Sequence, residues 1–371
     1  MVDFKKQNPR VMVCPLNWGL GHASRCIPII RKLQIAGFEV IVAAEGQVLS
    51  LLKEECNGIE CIILHGFSPR FSSGKHLILR IPGWIISLAW HTFVEHKAIS
   101  QLVADVKIDV VISDNRFGLF TKKAKCIFIT HQVMFKTPRY LKFAEPLLYR
   151  VNRFLIQKFN ACWIPDLPGP ENLSGDLSHK YPLPKNARFI GLLSRFQKKE
   201  SQEVISNGGL LAMLSGPEPQ RSIFEKCILD QLKKANYPAI IVRGKPDELN
   251  NIELLENISQ KNHLITDQLA MAIGNARLVV CRSGYSTLMD LAVLGKTSVL
   301  LVPTPGQTEQ EYLARRLKEL GWFNYQTQDK FDLDRIGFDL TGYHGIKLLV
   351  EQTMLDKEIS TLLYELNSHS T

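Results

Sequence analysis

Short apolar runs alternate with amphipathic stretches along the whole chain. In the first half, the apolar runs lie near residues 10–15, 39–44, 59–63, 109–113 and 125–130. In the second half, they lie near residues 210–214, 239–242, 278–280 and 298–302. A short continuous apolar run indicates a buried strand, and helical spacing such as that of Ile27, Ile30 and Leu33 indicates a helix that covers it. This alternation predicts an α/β fold, with parallel sheets covered by helices.

The length and the composition of the chain predict how it divides into domains. A chain of 371 residues suggests two domains of ordinary size. Pro, Gly, Ser and Asn are concentrated between residues 165 and 188, as in a linker. We therefore predict an N-terminal domain at residues 1–187, a C-terminal domain at 188–343 and a final amphipathic helix within 344–371.

Polar side chains follow the predicted strands of the first domain. The first strand runs into a loop that contains Gly19, Gly21 and His22, and Asp114 and His131 follow two later strands. The carboxyl ends of parallel strands meet at one edge of a sheet, where open α/β folds bind ligands. We therefore expect His22, Asp114 and His131 to converge.

The first loop also carries a weak dinucleotide-binding fingerprint. Gly19 and Gly21 are followed by Ser24 at the third glycine position, and Glu45 follows the second strand. Such sites accept Ser poorly at that position, because helix and strand pack closely there. An NAD-dependent oxidoreductase is therefore a disfavoured alternative.

The second domain contains a strand, a tight turn and a helix start. The apolar run 278–280 leads into Ser283 and Gly284, and Ser286 or Thr287 can cap the helix that follows. A helix N-terminus suits a phosphate, because its free N–H groups and its dipole are positive. Asp290 lies one turn further on, within reach of a ribose hydroxyl. With Gln310 and Glu311 at the start of the next helix, this region predicts a pocket for a nucleoside diphosphate with a polar group attached.

These residues carry a resemblance to a known family. The pattern Arg-Ser-Gly-x-x-Thr-x-x-Asp at residues 282–290, then a strand, a Pro and Gln-Glu-Tyr at 310–312, resembles the donor half of glycosyltransferase family 28, the MurG-like transferases. The likeness is strongest over residues 278–320 and moderate over 19–24. It implies the GT-B architecture, in which two Rossmann-like domains with doubly wound parallel sheets face each other across a cleft. It also implies that the final helix returns to the first domain.

The resemblance implies a role for each candidate residue. His22 is the candidate base, Asp114 would orient it, and His131 is the next candidate. Asp290 would bind ribose, while Gln310 and Glu311 would select the hydroxyls of the donor sugar. The departing diphosphate and the rest of the donor would be held by Gly19, Gly21, Arg195, Ser215, Gly216, Arg243, Ile265, Ser283, Gly284, Ser286 and Thr287. No metal ion or other cofactor is expected, since helix dipoles and Arg replace a metal in this fold.

Charge and cysteine usage narrow the classes of partner and the cellular locations that the sequence favours. The net charge is +9, but no zinc finger or other nucleic-acid motif is visible, so an anionic membrane surface or substrate is the better interpretation. Basic and apolar residues alternate over 134–158, which predicts docking on anionic lipid, with a packed helix and a solvated basic face as the alternative. Eight scattered cysteines, a polar start and no apolar run of about 18 residues predict a cytoplasmic protein, peripheral at the inner membrane face.

The sequence as a whole predicts an inverting, metal-independent glycosyltransferase that takes a hexose from a UDP-sugar. The sequence leaves the acceptor open, because the family's His-Glu-Gln-Asn signature is reduced here to His131 and Gln132. A lipid-linked acceptor is one candidate. Two further alternatives are a UDP-sugar 2-epimerase of the same fold and a non-catalytic sugar-nucleotide-binding subunit.

Overall fold

The computed structural model describes residues 8–66, 77–197, 208–235, 237–248, 253–255, 257–336, 340–348 and 353–368. The polar start of the chain and most of the loop at 66–76 therefore lie outside the described residues. Two seven-stranded sheets organise the described part of the chain.

The first sheet has the order β3-β2-β1-β4-β5-β6-β7, and all of its neighbouring strands are parallel. Its strands are β1 (Arg10–Cys14), β2 (Glu39–Ala44), β3 (Glu60–Ile63), β4 (Val110–Asp114), β5 (Lys125–Ile129), β6 (Ala161–Ile164) and β7 (Ala187–Phe189). The second sheet has the order β10-β11-β9-β8-β12-β13-β14, and only the edge strand β10 is antiparallel to its neighbour. Its strands are β8 (Leu210–Met213), β9 (Ala239–Val242), β10 (Glu253–Leu255), β11 (Ile258–Lys261), β12 (Leu278–Cys281), β13 (Val299–Leu301) and β14 (Asn324–Tyr325). This is the predicted α/β class.

Helices connect and cover the strands of both sheets. They are α1 (Leu20–Ile35), α2 (Gly46–Glu55), α3 (Leu77–Val106), α4 (Glu145–Ile156), α5 (Asp176–His179), α6 (Gln220–Ala235), α7 (Thr266–Asn275), α8 (Tyr285–Leu294), α9 (Thr308–Glu319), α10 (Leu333–Ile336) and α11 (Thr353–Ser368). Single 3-10 turns span Arg139–Ala144 and Gln328–Lys330. Central strands such as β1 and β4 are apolar and buried along almost their whole length, because helices cover both faces of a parallel sheet.

Each sheet has a point where the strand order reverses, and these two points face each other. In the first sheet it lies between β1 and β4, and in the second between β8 and β12. Ligands of open α/β sheets bind in the crevice at the carboxyl ends of the strands at such a point. The loops that follow these four strands therefore form the two walls of one cleft.

The domains are in direct contact beside this cleft. The Ser286 hydroxyl of α8 donates to the Gly21 carbonyl of α1 at 2.7 Å, and Tyr285 donates to the Pro165 carbonyl at 2.9 Å. A Cβ on Gly21 would lie 3.2 Å from the Ser286 Oγ, so this close approach favours glycine. The final helix α11 contacts α1, and its Asp356 pairs with Lys32.

The predicted limits of several elements differ from the structure. The domain boundary at 187/188 falls inside β7, which extends the first sheet to Phe189. Residues 165–188, predicted as a linker, include α5 and lie against the first domain, where Leu177 accepts the N–H of Met134 at 2.9 Å and Pro182 accepts the Tyr149 hydroxyl at 2.6 Å. The last helix begins at Thr353, well after the predicted limit of residue 344.

Candidate active site

A cavity of about 490 Å³ lies between the two domains. Its first-domain wall includes the loop after β1, the middle of α3 and the segment after β5. Its second-domain wall comes from the loop after β8, the N-terminus of α8 and the N-terminus of α9. The predicted residues that line the cavity are Gly19, Gly21, His22, His131, Ser215, Gly216, Gly284, Ser286, Thr287 and Gln310.

His22 and Asp114 meet at the floor of the cleft. His22 lies in the first turn of α1, and Asp114 is the last residue of β4. The His22 Nδ1 is 2.9 Å from the Asp114 Oδ2, and 18% of the His22 side chain remains exposed. Since Nδ1 faces the carboxylate, Nε2 is the ring nitrogen left for a substrate proton. The predicted convergence of these strand-end side chains is confirmed, while their catalytic roles stay predictions.

Arg25 is the centre of the cluster, and sequence reasoning assigned it no role. Its Nε donates to the Asp114 Oδ2 at 2.9 Å, and its Nη2 donates to the Asp114 Oδ1. Nη2 also lies 2.9 Å from the His22 Nδ1, and Nη1 lies 3.2 Å from the His131 Nδ1. The one available signal was its position three residues after His22, on the same face of α1.

The charges of this cluster fix two protonation states. Burial alone would raise the pKa of Asp114, but Arg25 and His22 outweigh burial and lower that pKa to about 2. Desolvation at the cleft floor lowers the pKa of His22, and so does Arg25, while Asp114 opposes them only in part. Asp114 is therefore a carboxylate at neutral pH, and His22 is a neutral imidazole that can accept a proton.

His131 contacts the second domain. Its Nε2 is 2.6 Å from the Glu309 Oε1, and its ring stacks on Tyr285, with the ring centroids 4.0 Å apart and the planes at 6°. The neighbouring Gln132 donates to the Glu309 Oε2 at 2.5 Å. Tyr285, Glu309 and Gln132 all line the cavity. Sequence reasoning assigned a role to none of these three.

The N-terminus of α8 opens into the cavity. Residues 284–287 line it, and no side-chain hydrogen bond caps this helix. The Ser286 hydroxyl is engaged with Gly21, and the Ser283 hydroxyl donates to the Gln310 carbonyl at 2.8 Å. The backbone N–H groups of the first turn, which have no partner within a helix, are thus the groups that α8 offers to an anion.

Two candidates of the donor side lie behind the cavity wall. Asp290 is buried and accepts a hydrogen bond from the Ser194 hydroxyl at 2.6 Å. Burial raises the pKa of Asp290 to about 6, against the opposing effect of Arg195. The Arg195 Nη1 is 3.6 Å from the Glu55 Oε1, and its Nε and Nη1 are buried without a hydrogen bond.

The remaining candidates are spread over the second domain. Gln310 lines the cavity, and its Oε1 accepts the N–H of Thr304 at 2.9 Å. Glu311 accepts the N–H of Gly306. Arg243 forms ion pairs with Glu225 and Glu248, and Ile265 precedes α7 with 37% exposure. Ser283, Asp290, Glu311, Arg195, Arg243 and Ile265 do not line the cavity.

Comparison with known proteins agrees with this geometry. Residues 223–336 match the family model of the glycosyltransferase family 28 C-terminal domain. An uncharacterized glycosyltransferase of Methanosarcina mazei is 22% identical over 348 residues, which cover 88% of this chain and 89% of that protein. The UDP-N-acetylglucosamine--N-acetylmuramyl-(pentapeptide) pyrophosphoryl-undecaprenol N-acetylglucosamine transferase of Methylobacterium nodulans is 42% identical over 72 residues, 19% of each chain. The structure of glycosyltransferase SnogD from Streptomyces nogalater superposes with a TM-score of 0.58 at 14% identity, covering 98% of this chain and all of that one.

Two facing parallel-sheet domains and this superposition define the GT-B architecture, so the predicted fold is confirmed. Residues 223–336 match the C-terminal domain of glycosyltransferase family 28, and the resemblance read from residues 282–312 is confirmed.

Proposed function

We propose that this protein transfers a hexose from a UDP-sugar to an acceptor hydroxyl, with inversion and without a metal cofactor. The observation that carries the proposal is the pairing of His22 with Asp114 in the same cavity as the N-terminus of α8. A base on one wall and an anion site on the other are the two groups that displacement of a nucleoside diphosphate requires.

His22 acts as the base. The Asp114 carboxylate accepts a hydrogen bond from Nδ1–H and so holds the tautomer in which Nε2 carries the lone pair. Nε2 takes the proton of the acceptor hydroxyl as its oxygen attacks the anomeric carbon and the bond to the diphosphate breaks. Attack from the side opposite the leaving group inverts the configuration. The lowered pKa of His22 keeps it unprotonated at pH 7 before each turnover.

The second domain holds the donor. Charge grows on the diphosphate as the glycosidic bond breaks, and the first-turn N–H groups of α8 together with its dipole stabilise that charge. The turn at Ser215 and Gly216 faces the same space. UDP is the proposed nucleotide because the transferase of Methylobacterium nodulans is named for a UDP-N-acetylglucosamine donor. Gln310, at the cavity wall, would select the hydroxyls of the sugar.

A nucleotide panel tests the donor. A ligand at about 100 times its dissociation constant adds about 2.7 kcal/mol to the free energy of unfolding. UDP and UDP-hexoses should therefore raise the melting temperature, while NAD should leave it unchanged. Stabilisation by NAD and not by UDP would overturn the assignment.

Epimerisation is the second candidate, because Glu95 and Glu309 bring carboxylates to the cavity. Each carboxylate is already engaged, Glu95 with Arg116 and Glu309 with His131. The two reactions differ in their need for an acceptor. We expect UDP release only with an acceptor present, whereas conversion of UDP-sugar to its epimer without an acceptor would favour the second candidate.

The first domain presents an apolar surface beside the cavity, and we assign it to anionic lipid. Tyr140, Phe143, Leu147, Val151 and Phe154 are 50–80% exposed on the 3-10 turn and α4. The residues that α4 buries are Glu145, Tyr149, Asn152 and Ile156, so its outer face carries apolar side chains among basic ones. A solvated basic face alone does not account for these exposed apolar side chains.

A second set of exposed apolar residues lies on α3. Trp90, Phe93 and Val94 are 45–64% exposed, and their neighbours Thr92 and Glu95 line the cavity. Among the described helices, none is long and apolar enough to cross a membrane. A lipid-linked acceptor held at such a surface would reach the cavity from the first-domain side. All eight cysteines are free, which suits the cytoplasmic face of the membrane.

Vesicle binding tests the membrane assignment. Arg139, Lys142 and Arg150 are exposed in this surface, whereas Lys136 pairs with Asp176 and is left unchanged. The triple Gln variant should bind phosphatidylglycerol vesicles less tightly than the native protein, and native binding should weaken as salt rises, because screening shortens to about 8 Å at physiological strength.

A matched control removes the same charge from the second domain, as the triple Gln variant of the exposed Lys226, Lys233 and Lys234 on α6. It should bind vesicles as the native protein does. Equal loss in both triple variants, or equal binding to neutral and anionic vesicles, would contradict docking through this surface.

A further inference from the structure

Glu309 is the second-domain residue that contacts the base cluster of the first domain. It lies in the first turn of α9, next to the sugar-site candidate Gln310. Its Oε1 is 2.6 Å from the His131 Nε2, and its Oε2 accepts from the Gln132 amide at 2.5 Å. Thr308, one residue earlier, donates to the Lys136 carbonyl at 2.7 Å. The start of α9 is thus fastened to the segment that follows β5.

The partners of His131 determine its tautomer. The Glu309 carboxylate can only accept, so the proton of the neutral His131 ring lies on Nε2 and is donated to Glu309. Nδ1 then carries the lone pair and accepts from the Arg25 Nη1 at 3.2 Å. The ring is also held flat against Tyr285 of α8. Both nitrogens are engaged, so His131 has no lone pair to offer a substrate proton while this contact lasts.

The contact continues to the base. Arg25, which touches His131 through Nη1, is bound to Asp114 and lies 2.9 Å from the His22 Nδ1. The order Glu309, His131, Arg25, Asp114, His22 is therefore a continuous set of polar contacts from the second domain to the proposed base. It is complete only when the domains are closed, because Glu309 and Tyr285 belong to the second domain.

We propose that Glu309 is a positioning residue that fastens the closed domains and, through His131 and Arg25, holds the His22–Asp114 pair in its working geometry. This inference rests on the proposed function. With this assignment, His131 is no longer the second candidate base. It is instead the residue that connects Glu309 to Arg25. The donor helix α9 would then signal closure to the base on the opposite wall. A carboxylate with both oxygens bound across a cleft suits that role, because its contacts depend strongly on distance.

The test variant is Glu309→Gln, which keeps the shape but removes the charge and places an amide N–H₂ opposite one of its former donors. Single-turnover transfer should slow by about 10–100-fold, since small displacements of a reacting group have effects of this size. UDP-sugar affinity should change less than about 3-fold, because Glu309 contacts the first domain. The matched control is Glu319→Gln, which removes an exposed carboxylate from the end of the same helix. It should transfer at the native rate.

A double substitution separates this role from a general loss of structure. His131→Gln should slow transfer by about as much as Glu309→Gln does. The double variant should be less than about 3-fold slower than Glu309→Gln alone, because the two residues act as one unit. Independent multiplication of the two effects, or native transfer by Glu309→Gln, would overturn the proposal. Unfolding curves of each variant establish that the fold is retained.

Histidine ¹⁵N NMR supplies a readout that needs no turnover. The native protein should show His131 as the neutral Nε2–H tautomer, identified by the loss of its signals in His131→Gln, and Glu309→Gln should change that signal pattern. If neither the native protein nor any variant transfers a sugar but His131 has the expected tautomer, the proposed function is wrong and the contact between Glu309 and His131 is supported. An Nδ1–H tautomer of His131 would contradict the link itself.

Discussion

Replacing Asp114 with Asn tests the electrostatic centre of the site. Asp114 is fully buried, and the Arg25 side chain that it binds is 2% exposed. Their interaction, together with His22, lowers the pKa of Asp114 to about 2, which at about 1.4 kcal/mol per pKa unit is on the order of 2–3 kcal/mol in favour of the carboxylate. Removing one partner of a buried ion pair typically costs about 3–5 kcal/mol, because the other charge stays buried and uncompensated. We expect Asp114→Asn to lower the free energy of unfolding by about 3 kcal/mol.

Urea unfolding measures this loss, and a second variant identifies its cause. Arg25→Gln combined with Asp114→Asn leaves no buried charge, so it should be more stable than Asp114→Asn alone. The pKa of Asp114 is lower in the folded state, so its contribution to stability is present above about pH 4 and is lost as the pH falls from about 4 to 2. In Asp114→Asn, this contribution to the free energy of unfolding, and its loss between about pH 4 and 2, should be missing. A loss below about 0.5 kcal/mol, typical of a surface substitution, would refute the buried pair.

Further predictions concern the donor and metal ions. Asp290 lies behind the cavity wall, so the ribose contact predicted from the sequence needs a direct test. If ribose reaches Asp290, calorimetry of Asp290→Ala should show UDP-sugar binding weaker by about 1–3 kcal/mol, and unchanged affinity would remove Asp290 from the donor site. Because burial raises the pKa of Asp290 to about 6, the charged acceptor is present above that pH, and donor affinity should fall as the pH drops through 6 in the native protein but not in Asp290→Asn. Transfer should persist in EDTA, and a complete loss restored by Mg²⁺ or Mn²⁺ would contradict metal-independent catalysis.

The sequence predicted those parts of the site that local rules determine. Strand ends converge at a switch point whatever the rest of the chain does, so His22, Asp114 and His131 could be grouped from the apolar runs alone. The N-terminus of α8 was equally accessible, since Gly284 and the helical spacing after it mark a turn and a helix start.

The missed residues depend on geometry between elements. Arg25 sits among the buried residues Ala23, Cys26 and Ile27 of α1, and only the packing of α1 on the first sheet shows that its guanidinium reaches Asp114. Glu309 precedes two residues assigned to the donor, and which member of that polar run faces the other domain depends on the closure of the domains. Asp290 lies behind the cavity wall with the Ser194 hydroxyl, distant along the chain, bound to it, a position that its spacing in the sequence could not reveal.

The transfer reaction of His22→Ala tests the central claim most directly. The Nδ1 contact with Asp114 orients His22, and general-base help is typically worth about 10²–10⁴-fold. Single-turnover transfer from UDP-sugar should therefore slow by about that factor, while the UDP-sugar dissociation constant should stay within about 2-fold, because α8 holds the donor. The control is His65→Ala, an exposed histidine of the same domain that should transfer at the native rate. Near-native transfer by His22→Ala would contradict its role as the base.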